Sequence, residues 1–229
     1  MDALTPNLRD IGGRPTADGR SVAHGRVLRS AVPHPDDRGP AGVTWPPRLV
    51  IDLRSPSEVG AAHPLAADGV RVVNLPLLSS LQPGVAPAAS LAILYGIVLD
   101  HAASHLVALV DEIGREPGTT LIHCAAGKDR TGISIALLLR LAGVSRDEVL
   151  HDYLLTEHAL DEIDARLRPM TPATPSGHTY PPGFAAVAPD ALEAVLDVWD
   201  AHPEGVEGWL VQAGGTSGQV DRLRRTLLA

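Results

Sequence analysis

"TTLIHCAAGKDRTGISIALLLRLAG", Thr119 to Gly143, is the stretch that decides the fold. Its opening, Thr119–Cys124, is a short β-branched and leucine-rich run that predicts a buried strand. Its end, Arg130–Gly143, is nearly all apolar and predicts an interior helix. Between them lie Gly127, Lys128 and Asp129, which are not core residues. Strand, tight polar loop and helix in direct succession put the loop at the carboxyl end of a strand, where open α/β sheets bind ligands.

Successive backbone N–H groups in such a loop can converge into an anion nest over Ala125, Ala126, Gly127 and Lys128. The helix N-terminus adds partial positive charge. Gly127 permits a turn that a side chain would obstruct. Arg130 offers a planar fork of donors matched to two phosphate oxygens. The same field favours a thiolate at Cys124, the only cysteine in 229 residues. His123 is placed to order the loop, and Thr131 to donate a hydrogen bond to the sulfur as it leaves. The expected chemistry is in-line attack on phosphorus, a phosphocysteine intermediate and hydrolysis.

Further strands are predicted over Arg48–Arg54, Val70–Leu77 and, at an edge, Gly25–Ala31. Helices are predicted after Ser55, where Pro56 and Glu58 complete a capping box, and over Leu91–Gly114 as one or two helices. Another starts at the Ser145/Glu148 box, and amphipathic helices lie near the C-terminus, one opened by Thr216 and Gln219. Pro169–Pro189 reads as a loop. The alternation predicts an α/β fold with a mainly parallel central sheet flanked by helices, as one domain over residues 1–229.

Net charge is −8 and aromatic residues make up 3%. The acidic balance argues against nucleic acid or an anionic membrane as a broad partner. One cysteine excludes an internal disulfide framework and a Cys-rich zinc site. The ten histidines show no metal-ligand spacing, so no metal or cofactor is expected. No signal peptide or spanning segment is evident, and a cytoplasmic protein with no stable membrane insertion is expected.

Cysteine, five residues, then Arg-Thr-Gly resembles the signature loop of the cysteine-dependent phosphatases. The form "HCAAGKDRTG" is similar to the bacterial tyrosine and lipid phosphatases of the mycobacterial protein tyrosine phosphatase B type. "NLRDIGG" (Asn7–Gly13), "GRVLRSA" (Gly25–Ala31), "IDLRSPSEV" (Ile51–Val59), "DYLLTEH" (Asp152–His158) and the segment Gly205–Leu228 look like that family's other blocks, in the same order. The resemblance is thinnest from Leu78 to Arg115, where a lid is expected, and across the proline-rich loop. It implies a phosphatase fold, phosphotyrosine protein as substrate, and dual activity on phosphoserine/threonine or phosphoinositides. A phosphate-binding module without turnover is the alternative, and the retention of Cys124, Asp129, Arg130 and Thr131 argues against it. A sulfurtransferase or arsenate reductase fits the Lys-Asp-Arg-Thr-Gly ending poorly.

Many tyrosine phosphatases draw their general acid from a Trp-Pro-Asp loop. Here "TWPPR" (Thr44–Arg48) has Pro47 in place of the aspartate, and Trp45 reads as an anchor. The resemblance leaves Asp129 in the loop itself and Asp52 at the end of the "VID" strand. Asp52 could equally be a structural carboxylate tied to Arg54. Lys128, the only lysine, would contact substrate phosphates or offset Asp129. Arg9 and Asp10 either support the loop from behind or form a turn with a salt bridge. Arg54 and Glu58 are expected to pair across one turn.

Overall fold

The computed structural model describes residues 4–60, 62–78, 90–170 and 185–229. Five strands, β1 (Arg9–Asp10), β2 (Val27–Ser30), β3 (Leu49–Asp52), β4 (Arg71–Asn74) and β5 (Thr120–His123), form one sheet in the order β1-β2-β5-β3-β4. Every neighbouring pair is parallel except β1 with β2. The fold is therefore α/β with a mixed, mostly parallel sheet. Its helices are α1 (Leu91–His101), α2 (Ala103–Arg115), α3 (Asp129–Leu141), α4 (Arg146–Leu154), α5 (Leu160–Leu167), α6 (Pro189–Ala201), α7 (Gly205–Gln212) and α8 (Ser217–Leu227).

The strands divide their side chains by alternation. Val27, Leu49, Ile51 and Ile122 enter the main core with α1–α3 and α6–α8. Leu28, Val50 and Leu121 point to the opposite face, which Leu65, Leu8, Val43 and Trp45 cover from loops. Helix α3 is buried over Arg130–Leu139, which explains its almost unbroken apolar sequence.

Several expectations need correction. Strand β2 is not an edge strand; the two-residue β1 covers it. The edge is β4, whose Arg71, Val72 and Asn74 are exposed, although its sequence reads as buried. The helix expected after Ser55 is a single 3-10 turn, Pro56–Glu58. The long helix expected after Ser145 breaks at a 3-10 turn, Leu155–Ala159, between α4 and α5. Helix α7 had no clear sequence signal. Of the segment expected to hold a lid, Leu91–Arg115 forms α1 and α2, packed into the core, while residues 79–89 lie outside the described ones. Most of the proline-rich loop, residues 171–184, also lies outside them. Among the described residues no single helix is long and apolar enough to cross a membrane.

Candidate active site

Strand β5 ends at His123 and α3 starts at Asp129, so Cys124–Lys128 is the loop between them. The Gly127 N–H donates to Cys124 Sγ at 3.2 Å. Gly127 has φ +65°, and a Cβ there would stand 2.1 Å from the Ser30 carbonyl oxygen. Only glycine meets both conditions. The loop's carbonyls are taken up from outside. The Val32 N–H donates to Ala125 O at 2.9 Å. Asn7 Nδ2 and Arg29 Nη2 both donate to Gly127 O at 2.8 Å.

Arg130 is held by Glu58, not by solvent. Its Nη1 and Nη2 donate to the two Glu58 oxygens at 2.6 and 2.8 Å. Burial would raise the Glu58 carboxyl, but the Arg130 pair outweighs it and brings Glu58 down to about 2. This corrects the expected Arg54–Glu58 pair. Arg54 instead binds the Asp52 carboxylate through Nε and Nη2, at 2.9 and 2.7 Å, and meets Glu58 only at its backbone oxygen. The Ser55 N–H donates to Glu58 Oε2 at 2.9 Å, so the capping box aims the carboxylate that aims Arg130.

Asp129 stands in the first turn of α3, and its side chain is 22% exposed. Tyr95 of α1 donates its hydroxyl to Asp129 Oδ1 at 2.8 Å, and the Tyr95 and Tyr153 hydroxyls lie 2.7 Å apart. With Tyr95 donating to the aspartate, Tyr153 donates to Tyr95. Burial pushes the Asp129 carboxyl above its ordinary value, against the pull of Lys128 and the Tyr95 hydrogen bond. The Lys128 ammonium is buried and donates to the carbonyls of Ala186 and Ala185, at 2.7 and 3.3 Å. It is 3.7 Å from Asp129 Oδ1. It is thus not a solvated lysine. The Thr131 hydroxyl is buried and makes no hydrogen bond, to Cys124 Sγ or otherwise, among the described residues.

Asp52 is buried at the end of β3. Burial raises its carboxyl, but the Arg54 hydrogen bonds and nearby His123 win, and the net direction is down. His123 is fully buried, and burial lowers it to about 4, so it is neutral at pH 7. The Leu65 N–H donates to His63 Nδ1 at 3.1 Å, so His63 carries its proton on Nε2. That proton goes to His123 Nε2 at 2.8 Å, and His123 Nδ1–H goes to Cys124 O at 3.1 Å. Asp52, His63 and His123 are the described residues whose donor atoms could hold a metal ion, all within 4.8 Å of one another. Sixty residues separate the histidines in sequence, which hid the cluster. The two histidines form a hydrogen-bond chain that ends on Cys124 O, and the Arg54 cation lies against the Asp52 carboxylate.

Behind the loop, Asp152 of α4 gathers three arginines. Arg9 Nε and Arg14 Nη2 donate to its Oδ1 at 3.1 and 2.7 Å, and the fully buried Arg29 donates to Oδ2. Arg9 therefore supports the loop through a salt bridge, which joins the two readings of its sequence block. Asp10 turns away, accepting from the Gly12 and Gly25 N–H groups. Sequence reasoning missed Tyr95, Tyr153, Asn7, Arg29 and Asp152. The only signal was their presence in the quoted blocks, and Tyr95 lay outside all of them.

A family model described as the tyrosine phosphatase family matches residues 3–229. A Cupriavidus necator protein assigned provisionally to the tyrosine-protein phosphatases is 32% identical over 161 residues, 65% of this chain and 59% of that one. A Nostoc commune tyrosine-protein phosphatase is 33% identical over 115 residues, 48% and 39% of the two chains. A triple specificity protein phosphatase of Mycobacterium tuberculosis is 32% identical over 137 residues, 55% and 49%. The matches thus span between 39% and 59% of these relatives' lengths. With a family match over nearly its whole length and a loop of this geometry at the end of β5, the chain belongs to the tyrosine phosphatase family.

Proposed function

We propose that the chain hydrolyses phosphate monoesters through a phosphocysteine intermediate, with protein phosphotyrosine as its first substrate. The observation that carries this is the Gly127 N–H on Cys124 Sγ, with Arg130, anchored by Glu58, in the first turn of the helix that follows the same loop. In this reading Cys124 Sγ attacks phosphorus in line, forming S–P as the bond to the leaving oxygen breaks. Asp129 gives that oxygen its proton. Water then attacks phosphorus, Asp129 takes the water proton, and the S–P bond breaks to return the thiolate and inorganic phosphate. Loop N–H groups and Arg130 take the charge that spreads over the equatorial oxygens.

Asp129 suits the acid-base role better than Asp52. Burial raises its carboxyl toward the operating pH, and it lies in the loop itself. Asp52 is committed to Arg54. Thr131 would serve the sulfur only if its oxygen moved into hydrogen-bond range of it. The Lys128 ammonium is committed to two carbonyls, which favours singly phosphorylated protein over polyphosphorylated lipid. One relative is named for triple specificity, so phosphoserine/threonine and phosphoinositide activity belong in the assay.

The test is metal-independent hydrolysis of an aryl phosphate, phosphopeptides and phosphoinositides by the native protein and Cys124→Ser. Turnover inhibited by vanadate and lost in Cys124→Ser supports the reading. A fully active Cys124→Ser variant overturns it. Tight phosphopeptide binding without turnover by the native protein moves the chain to the non-catalytic alternative.

A further inference from the structure

The orientation of one peptide unit in the loop is set from outside the loop. We infer that Asn7 and Arg29 are positioning residues that hold the Gly127–Lys128 peptide so that the Lys128 N–H faces bound phosphate. The inference rests on the phosphatase reading above and adds to it a device that the reading does not require.

A trans peptide directs its C=O and N–H in opposite senses. The Gly127–Lys128 bond is trans, since the one cis bond among the described residues is Trp45–Pro46. Two donors fix its carbonyl, Asn7 Nδ2 and Arg29 Nη2, each at 2.8 Å. Its N–H is therefore directed away from Asn7 and Arg29, toward the loop interior where the Gly127 N–H already meets Cys124 Sγ. The same logic runs around the loop. Val32 holds Ala125 O and His123 holds Cys124 O, orienting the N–H groups of Ala126 and Ala125. The first two anchors are local or belong to the adjoining strand segment. The Gly127 anchor differs in kind, because two side chains distant in sequence converge on one oxygen, whereas Val32 donates through its backbone.

Both anchoring side chains are themselves fixed. Arg29 is fully buried, with its other guanidinium nitrogen on Asp152. Asn7 adopts φ +60°, alone among the described non-glycine residues. That left-handed conformation disfavours most L-residues, and asparagine is among the few that tolerate it. Its Oδ1 accepts from Arg9, which also leans on Asp152. The amide's remaining end is thus directed at Gly127 O. Without these donors the peptide is free to turn, and a flipped peptide would present a carbonyl oxygen to an anion.

The chain offers a direct readout, because Lys128 is its only lysine. Selective 15N-lysine labelling gives one backbone amide signal, that of Lys128. Asn7→Gly keeps the left-handed backbone and removes the donor. Asn7→Asp keeps the shape and turns the donor into an acceptor. The expected result has three parts. In the native protein, vanadate moves the Lys128 amide signal downfield. In both variants that movement shrinks and vanadate inhibition weakens by about 10-fold, less than the roughly 100-fold or more that removing an oxyanion donor costs, because the N–H is misaimed and not removed. Aryl phosphate kcat falls as well; mere loss of folded protein would also lower kcat, but it would leave the vanadate inhibition constant and the Lys128 shift of the remaining folded protein at their native values. Arg29→Lys, which keeps the buried charge, is expected to act in the same direction. A native enzyme that turns over and is inhibited, but whose Lys128 signal ignores vanadate, overturns the inference alone. So do Asn7 variants with native kcat, KM and vanadate inhibition. A native protein that neither turns over aryl phosphate nor binds vanadate overturns the phosphatase reading, and the inference falls with it.

Discussion

Replacing Glu58 by glutamine isolates the contact that orients Arg130. The native carboxylate accepts two charge-assisted hydrogen bonds, at 2.6 and 2.8 Å. Glutamine keeps one acceptor and places an NH2 against the other guanidinium nitrogen. Losing one such bond costs about 1.5–3 kcal/mol. If half or more of that is felt in the transition state, kcat/KM for an aryl phosphate falls about 4- to 160-fold. Stability gives a second, independent check. Glu58 drops from its ordinary 4.5 to about 2 on folding. At about 1.4 kcal/mol per pH unit this is about 3 kcal/mol as an upper bound. The side chain is 33% exposed, and solvent screening reduces the figure to roughly 1–2 kcal/mol. The sign follows from the lowered value. The contribution is full above pH 4.5 and is lost as pH falls through about 2. Denaturant melts should therefore separate native and variant at pH 7 and bring them together near pH 2. Unchanged kcat/KM, or a stability gap that widens on acidification, would refute the reasoning.

Three further outcomes are expected. Tyr95→Phe removes the hydrogen bond that favours the Asp129 carboxylate, so the alkaline limb of the pH–rate profile, which needs the protonated acid, moves to higher pH; a limb that stays put or moves down removes Tyr95 from the site. Asp129→Asn should cost aryl phosphate turnover about 100-fold or more, whereas Asp52→Asn should act first on the melting temperature, by leaving Arg54 without its carboxylate; the reverse ranking would make Asp52 the acid. Gly127→Ala puts a Cβ 2.1 Å from Ser30 O and strains a φ of +65°, and should destabilise by about 2–4 kcal/mol, while Gly19→Ala, with φ +85° but open space around it, should cost about 1–2 kcal/mol. Equal losses in melts of the two variants would show that the Ser30 contact yields easily.

Local pattern made the strand–loop–helix unit legible. The β-branched run, the lone glycine among charged residues and the apolar run to Gly143 each follow from short-range rules, and together they place Cys124, Asp129 and Arg130 in one turn. Glu58 was visible too, as the end of a capping box, but its partner was misread. Helical spacing suggested Arg54, four residues away. The 3-10 turn instead directs the carboxylate to Arg130, 72 residues away. Periodicity likewise cannot see that β4 is an edge, because edge position depends on strand order and not on the strand's own residues.

What the sequence determined by itself was the chemistry on offer: one thiol, one arginine fork and one loop aspartate at the end of a strand. Tertiary structure decided how those groups are held. Parallel pairing of β5 with β2 brings Arg29 and the preceding segment with Asn7 onto Gly127 O. Packing of α1 brings Tyr95 onto Asp129, and the pairing of β5 with β3 places His123 opposite Asp52. The physical reason is that hydrogen bonds and ion pairs act over about 3 Å, while the chain separations that bring these partners together run to more than a hundred residues.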